Sequence, residues 1–204
     1  MNVEDCILSL INDLKEIDGS FHLNERYLHH LFSSRINEDY PVSLNKSSLL
    51  HPEWATHIEG VTNRKGGLYL RNKHDKRRYD KTNNGSSGFI DFAIGNVDYP
   101  EYAVEFKMFR SFNQEGLIFD YMKLLDLENN IQNAISLAVY YGHSKYSKNC
   151  EEKDLNFYLK TAKIRLGQHF NNKRKHHFFF LEVVGKDDYR LFECINNWKF
   201  RSIP

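Results

Sequence analysis

Three ionisable side chains stand where apolar strands should be uninterrupted. In Phe89-Ile90-Asp91-Phe92-Ala93-Ile94 the one charged residue is Asp91. In Ala103-Val104-Glu105-Phe106-Lys107-Met108 an acid and a lysine stand two positions apart. Extended-chain alternation puts Glu105 and Lys107 on one face and Val104, Phe106 and Met108 on the other. A bare carboxylate in such surroundings costs several kcal/mol or takes up a proton, and two carboxylates brought together across a hairpin raise each other's pKa. A divalent cation relieves both problems. Mg2+ suits the place, because it takes one or two carboxylates together with waters and phosphate oxygens, and Mn2+ is the natural substitute. Lys107 reaches the same spot and would orient or deprotonate an attacking water. The plain alternative is a solvent-facing Glu105–Lys107 pair with Asp91 as an acid beside a turn.

Asp91, followed fourteen residues later by Glu105-Phe106-Lys107 on the next expected strand, resembles the PD-(D/E)xK nuclease superfamily. Ile90 stands where the family name has proline, a position that varies widely in the superfamily. Strand, hairpin, ExK strand, helix and strand over Phe89 to Tyr141 is the order of that core. The resemblance implies an α/β, restriction-endonuclease-like fold over a single domain, 1–204, with a central mixed β-sheet flanked by helices on both faces. It also implies a Mg2+-dependent nuclease, in which Asp91, Glu105 and the Phe106 carbonyl hold the metal and Lys107 positions the water. In that superfamily the first helix often supplies a Glu. Glu25 is similar, opening the second expected helix with Leu28 and Phe32 on its buried side; its other reading is a first-turn acid favoured by the helix dipole. Asp120-Tyr121-Met122-Lys123-Leu124 resembles the D-x-x-K-L signature of many such enzymes, so a site-supporting role is expected for Lys123 and less for Asp120. A surface ion pair at helical spacing is the competing account. Glu53 is a weaker candidate acid. A two-fold dimer is common among enzymes of this class that cut both strands, which is fold-level analogy.

The formal net charge of +1 hides a local pattern. Gly60 to Ser87 carries a net +6, Asp91 to Glu128 a net −5, and His143 to His177 a net +6. An acidic centre between two basic segments suits a metal-holding site flanked by surfaces for a polyanion. Arg71, Lys73, Lys76, Arg77 and Arg78 from the first segment, and Lys173, Arg174 and Lys175 from the second, are the expected contacts to nucleic acid, DNA rather than RNA. Solvated loops and helix faces are the bland reading of the same charges. The rival function is a catalytically inactive nuclease-fold protein that binds nucleic acid or another partner.

Other chemistries find little support. The ten histidines include two adjacent pairs but no HxxxH or HExxH, so ordinary surface or core histidine is expected throughout. There is no GxSxG and no Gly-rich phosphate loop. Three widely spaced cysteines, Cys6, Cys150 and Cys194, form no CxxC, which points to a reducing cytoplasm. No apolar run approaches the roughly 20 residues of a membrane helix, and the acidic N-terminus is unlike a signal peptide.

Positioning the three residues needs a framework, and the hydrophobic spacing supplies one. Val3, Cys6, Ile7, Leu10, Ile11, Leu14 and Ile17 recur at helical spacing up to Gly19. Asn24 is an expected N-cap for a helix with Leu28, Leu31, Phe32 and Ile36 as its stripe. Residues 37–65 show no clear period, Gly67 to Arg71 reads as a short strand, and Asn72 to Gly88 as a basic excursion. Phe89 to Ile94 and Tyr102 to Phe109 make a hairpin. A helix follows through Leu117, Ile118, Tyr121, Leu124 and Leu125, then a buried strand from Ile135 to Tyr141. A further helix runs through Leu155, Tyr158, Leu159, Ala162 and Leu166, and His177 to Ile195 is a terminal hairpin.

Overall fold

The computed structural model describes residues 2–16, 24–37, 39–40, 49–59, 65–109, 114–141, 150–185 and 188–204. In chain order the elements are α1 (Val3–Glu16), α2 (Glu25–Ile36), β1 (Leu50–Ala55), β2 (Leu68–Arg71), β3 (Tyr79–Thr82), β4 (Ser86–Ser87), β5 (Phe89–Gly95), β6 (Pro100–Phe109), α3 (Gln114–Leu125), β7 (Asn133–Tyr141), α4 (Glu152–Leu166), β8 (Lys175–Gly185), β9 (Asp188–Ile195) and β10 (Arg201–Ile203). Seven strands form one mixed sheet in the order β1-β5-β6-β7-β8-β9-β10, and β3-β2-β4 form a small second sheet. The β6–β7 and β7–β8 pairs are parallel, each joined through a helix, and the remaining pairs of the large sheet are antiparallel. That is the α/β architecture with a central mixed sheet.

Apolar spacing decides which face each helix covers. On α1 the stripe Val3, Cys6, Ile7, Leu10, Ile11 and Leu14 is buried, and on α2 Leu28, Phe32 and Ile36 are buried. Both pack on Val104, Phe106, Leu137 and Val139 of one sheet face. Helices α3 and α4 pack on the opposite face against Ala103, Ala138, Phe178 and Phe180. The Asn24 side chain caps α2 by accepting the Tyr27 N–H at 3.1 Å, which fixes where Glu25 begins the helix. Ile17 and Gly19 lie outside the described residues.

Two stretches without a clear period carry structure. Within 37–65, Leu50–Ala55 is edge strand β1, and the excursion from Asn72 to Gly88 holds β3 and β4 of the small sheet. Their sequences are polar and short because they are edges or a small outlying layer, so no alternating core face marks them. Tyr79 stacks on Phe119 with centroids 4.1 Å apart, and Tyr69 meets the same ring edge-on at 5.2 Å. These contacts seat the small sheet beside α3. All three cysteines are free and buried. No helix among the described residues is long and apolar enough to cross a membrane.

Candidate active site where β5 and β6 part

The β5–β6 ladder runs up to the pair Phe92↔Val104 and stops there. Beyond it, the Asp91 carboxylate takes the place of a strand partner: Oδ2 accepts the Phe106 N–H at 2.7 Å. The neighbouring β1 is irregular at the same level. Its pairing with β5 skips from Pro52↔Phe92 to Trp54↔Ile90, and Glu53 between them adopts a left-handed backbone with φ 52°. Leu50, Phe92 and Ile94 pack beneath α1 and α2, whereas Trp54 and Ile90 join the core beneath α3 and α4. Both strands therefore exchange faces at Glu53 and Asp91. A non-glycine residue held in the left-handed region costs on the order of 1–3 kcal/mol, and such strain concentrates at functional positions.

Alternation along β6 holds as the sequence implies. Val104, Phe106 and Met108 pack toward α1 and α2, and Glu105 and Lys107 meet charged groups of α3. Lys123, buried, lies at the centre of that meeting. Its ammonium contacts Glu105 Oε1 closely, lies 3.1 Å from Asp120 Oδ1 and donates to the Phe89 carbonyl at 2.7 Å. Lys107 Nζ is 3.4 Å from Glu25 Oε2 and 3.9 Å from Asp120 Oδ2, and Glu25 Oε2 also accepts the Met108 N–H at 3.2 Å. Glu25 thus reaches the hairpin from α2, and Asp120 is as much part of the cluster as Lys123.

Burial and charge set the protonation states. Burial pushes the Glu105 carboxyl well above the carboxylate range, with Asp120 and Asp91 adding to the rise against the pull of Lys123. Burial works against charge on Lys107, but Asp120, Glu25 and Glu105 outweigh it and its pKa is raised. It is therefore an ammonium at neutral pH, able to orient a water but not to deprotonate one. Burial also works to raise Asp91, yet His29 and the Phe106 amide prevail and hold it below its usual value.

The sequence predicts an ordinary histidine at position 29, and the structure instead puts His29 in the site. Its Nε2 is 3.3 Å from Asp91 Oδ2, and its ring packs against Phe92 and Phe106 with centroids 5.4 and 5.7 Å away. Burial opposes its protonation, but Asp91, aided by Glu25 and Glu53, raises its pKa. A raised histidine stabilises the fold fully below its unfolded pKa of about 6.5 and loses that contribution as pH rises through the folded value; a lowered Asp91 loses its contribution only as pH falls through its folded value. The wild type should therefore lose stability as pH rises above about 6.5, and His29→Gln should show a smaller loss over the same range. Denaturation midpoints between pH 5.5 and 8.5 check this, and parallel curves would refute it.

The basic candidates separate. Lys73, Lys76 and Arg77 are exposed at the β2–β3 connection. Arg71, also exposed, donates to the Lys76 carbonyl, and Arg78 pairs with Asp80 at 2.8 Å. Lys173 and Lys175 are exposed, but Arg174 between them is 4% exposed. Its Nη1 donates to the carbonyls of Leu124 at 2.5 Å and Asp126 at 2.9 Å, and burial pulls its pKa down to about 10. Arg174 is thus a strut at the end of α3, not a surface contact for nucleic acid. Its charged neighbours give no hint of this in the sequence.

Comparison of the chain with family models, with curated proteins and with solved structures gives no match in any of the three. The functional reading rests on the side chains themselves.

Proposed function

We propose that the chain is a divalent-cation-dependent nuclease that hydrolyses phosphodiester bonds in DNA on a restriction-endonuclease-like framework. The observation that carries this reading is the meeting of Glu105 and Lys107 of β6 with Glu25 of α2 and with Asp120 and Lys123 of α3, next to Asp91, which is tied to the Phe106 amide and helps to raise Glu105. The donor set fits a hard dication. Three carboxyl groups, Glu25, Glu105 and Asp120, face two ammonium groups there, and Glu105 Oε1 and Asp120 Oδ2 are buried without a hydrogen bond of ordinary geometry. Carboxylate oxygens in excess of cations are what Mg2+ or Mn2+ requires.

Asp91, Glu105 and the Phe106 carbonyl, which lies on the same edge of β6 as the amide held by Asp91, would hold the ion. When bound, the ion polarises a phosphoryl oxygen and lowers the pKa of a water. The chain's own residues do the rest. Lys107, kept protonated by Glu25 and Asp120, donates to the attacking water and offsets charge developing on the phosphate. Lys123, in contact with Glu105 and 3.1 Å from Asp120, holds the two carboxyl groups in place until substrate arrives. Lys73, Lys76 and Arg77, on the small sheet seated against α3, grip the phosphate backbone.

The rival reading, a nuclease-like fold that binds without cutting, is favoured by one observation: the Lys123 ammonium already occupies the place beside Glu105. Incubating the protein with plasmid DNA and Mg2+ or Mn2+ separates the two, since metal-dependent nicking appears only if Glu105 can exchange the ammonium for the ion. The binding surface has its own test. Charge reversal at Lys76 and Arg77 should weaken DNA association and lower its salt dependence, by about one unit of log–log slope for each phosphate that is no longer neutralised. It should leave stability within about 0.5 kcal/mol. Unchanged affinity at low salt would move the DNA to the Lys173–Lys175 surface.

A further inference from the structure

Asp91 faces a second group of side chains besides the Phe106 amide. A nitrogen of His29, a carboxylate oxygen of Glu53 and one of Asp91 all lie within 4.8 Å of one another. Three different elements deliver them: α2, edge strand β1 and β5. Each is held by something other than its neighbours in the trio. His29 is wedged on the rings of Phe92 and Phe106, with Nε2 buried and 3.3 Å from Asp91 Oδ2. Glu53 is placed by its left-handed backbone at the skipped position of β1. Asp91 is anchored by the Phe106 amide.

A second mixed histidine–carboxylate cluster in the molecule makes a useful contrast. Asp126, Glu128 and His169 also bring their ligand atoms within 4.8 Å of one another. There Lys81 is built in as the cation, 3.4 Å from Asp126 and 2.6 Å from Glu128, and the Tyr69 hydroxyl donates to Asp126 at 3.0 Å. Among the described residues, no Lys or Arg comes within ion-pair distance of Glu53 or Asp91. The first cluster therefore gathers two carboxyl groups and an imidazole with no ammonium among them.

We propose that His29, Glu53 and Asp91 form a cation position of their own that selects a first-row transition dication over Mg2+. Mg2+ takes oxygen ligands in near-ideal octahedra and gives up water reluctantly. An imidazole nitrogen with two carboxylates suits the softer ions of the Irving–Williams series, of which Co2+ is a convenient member. With Asp91 shared between this trio and the hairpin, two ions would flank one carboxylate, the arrangement that serves in-line phosphoryl displacement. For that use the inference rests on the nuclease reading, whereas the selectivity of binding can be measured without it.

The test is a Co2+ titration of the intact chain followed by ligand-field absorption, with Mg2+ as competitor. Wild type should show bands typical of a nitrogen ligand and retain Co2+ against a roughly 100-fold excess of Mg2+. His29→Ala should lose the nitrogen signature and bind Co2+ at least about tenfold more weakly. Glu53 is exposed, so Glu53→Gln remains folded and should weaken Co2+ by a similar factor, which guards against a misfolded His29 variant. Equal Co2+ affinity in wild type and Glu53→Gln overturns the proposal, as does an unaltered spectrum in His29→Ala or displacement by equimolar Mg2+. The two readings fail separately. A protein that binds Co2+ through His29 but cuts no DNA keeps this site and loses the nuclease. One that cuts with Mg2+ while its Co2+ affinity ignores His29 and Glu53 does the reverse.

Discussion

Asp91→Asn is expected to lower DNA cleavage in Mg2+ or Mn2+ by roughly 10³-fold or more, the scale on which one preorganised group at a reacting centre acts. The fold should survive the change. Asparagine retains a carbonyl oxygen that can accept the Phe106 N–H now held at 2.7 Å, so β5 and β6 still part at the same place. What disappears is the charge, and with it a metal-holding oxygen and the partner of His29. Losing that partly exposed attraction should cost only about 1 kcal/mol of stability. Plasmid nicking followed over time, with circular dichroism to show equal folding, checks both parts. Undiminished cleavage by the variant would remove the hairpin site, and absence of cleavage by wild type would remove the nuclease reading.

The sheet and its helices were legible wherever a periodic apolar pattern had a face to bury. Val104, Phe106 and Met108 read correctly as one side of β6, and the α1 and α4 stripes are all buried where they are described. Edge strand β1 did not read, because its exposed positions Pro52 and Glu53 break the alternation. In the small sheet β2 read as the short strand at Gly67 to Arg71, but β3 and β4 were missed for a different reason. Its strands are two to four residues long, with Tyr69 as the one buried side chain of β2. No hydrophobic period can be seen in so short a run.

The candidate site divides along the same line. Asp91, Glu105 and Lys107 stood out because each interrupts an apolar strand. Lys123 and Glu25 entered through a resemblance, and the structure gives both a partner in the cluster. His29 did not stand out, since nothing in a helix marks one histidine above another. The available signal was its spacing four residues after Glu25, which places both on one helical face. Glu53 carried no signal of its placement: its left-handed backbone depends on the register of β1 against β5, a long-range property. Arg174 erred the other way, because a buried arginine between two exposed lysines looks in sequence like a basic patch.

Lys123→Met should be the most destabilising single change in the site. The substitution keeps most of the side-chain volume and removes only the ammonium, so packing is nearly constant. Left behind are Glu105 and Asp120, whose side chains are 3% and 6% exposed, facing each other across the lost cation. Breaking a buried pair by deleting one partner costs about 3–5 kcal/mol, whereas an exposed pair would cost at most about 1 kcal/mol. The pH dependence supplies a second discriminator. Without Lys123 the Glu105 carboxyl, already raised by burial, rises further. A carboxyl with a raised folded pKa is proton-bound in the native state, so the deficit against wild type should shrink as pH falls toward the unfolded value of about 4.3 and grow through neutrality. Mg2+ should restore stability to the variant more than to wild type, because an ion bound only by the native state stabilises it by mass action and the variant has no ammonium to displace. Urea midpoints at pH 5 and pH 7.5, with and without millimolar Mg2+, measure all three effects. A loss below about 1 kcal/mol that ignores both pH and metal would mean that Lys123 and its carboxylates are solvated in the working protein, and the cluster could not then hold an ion in a desolvated site.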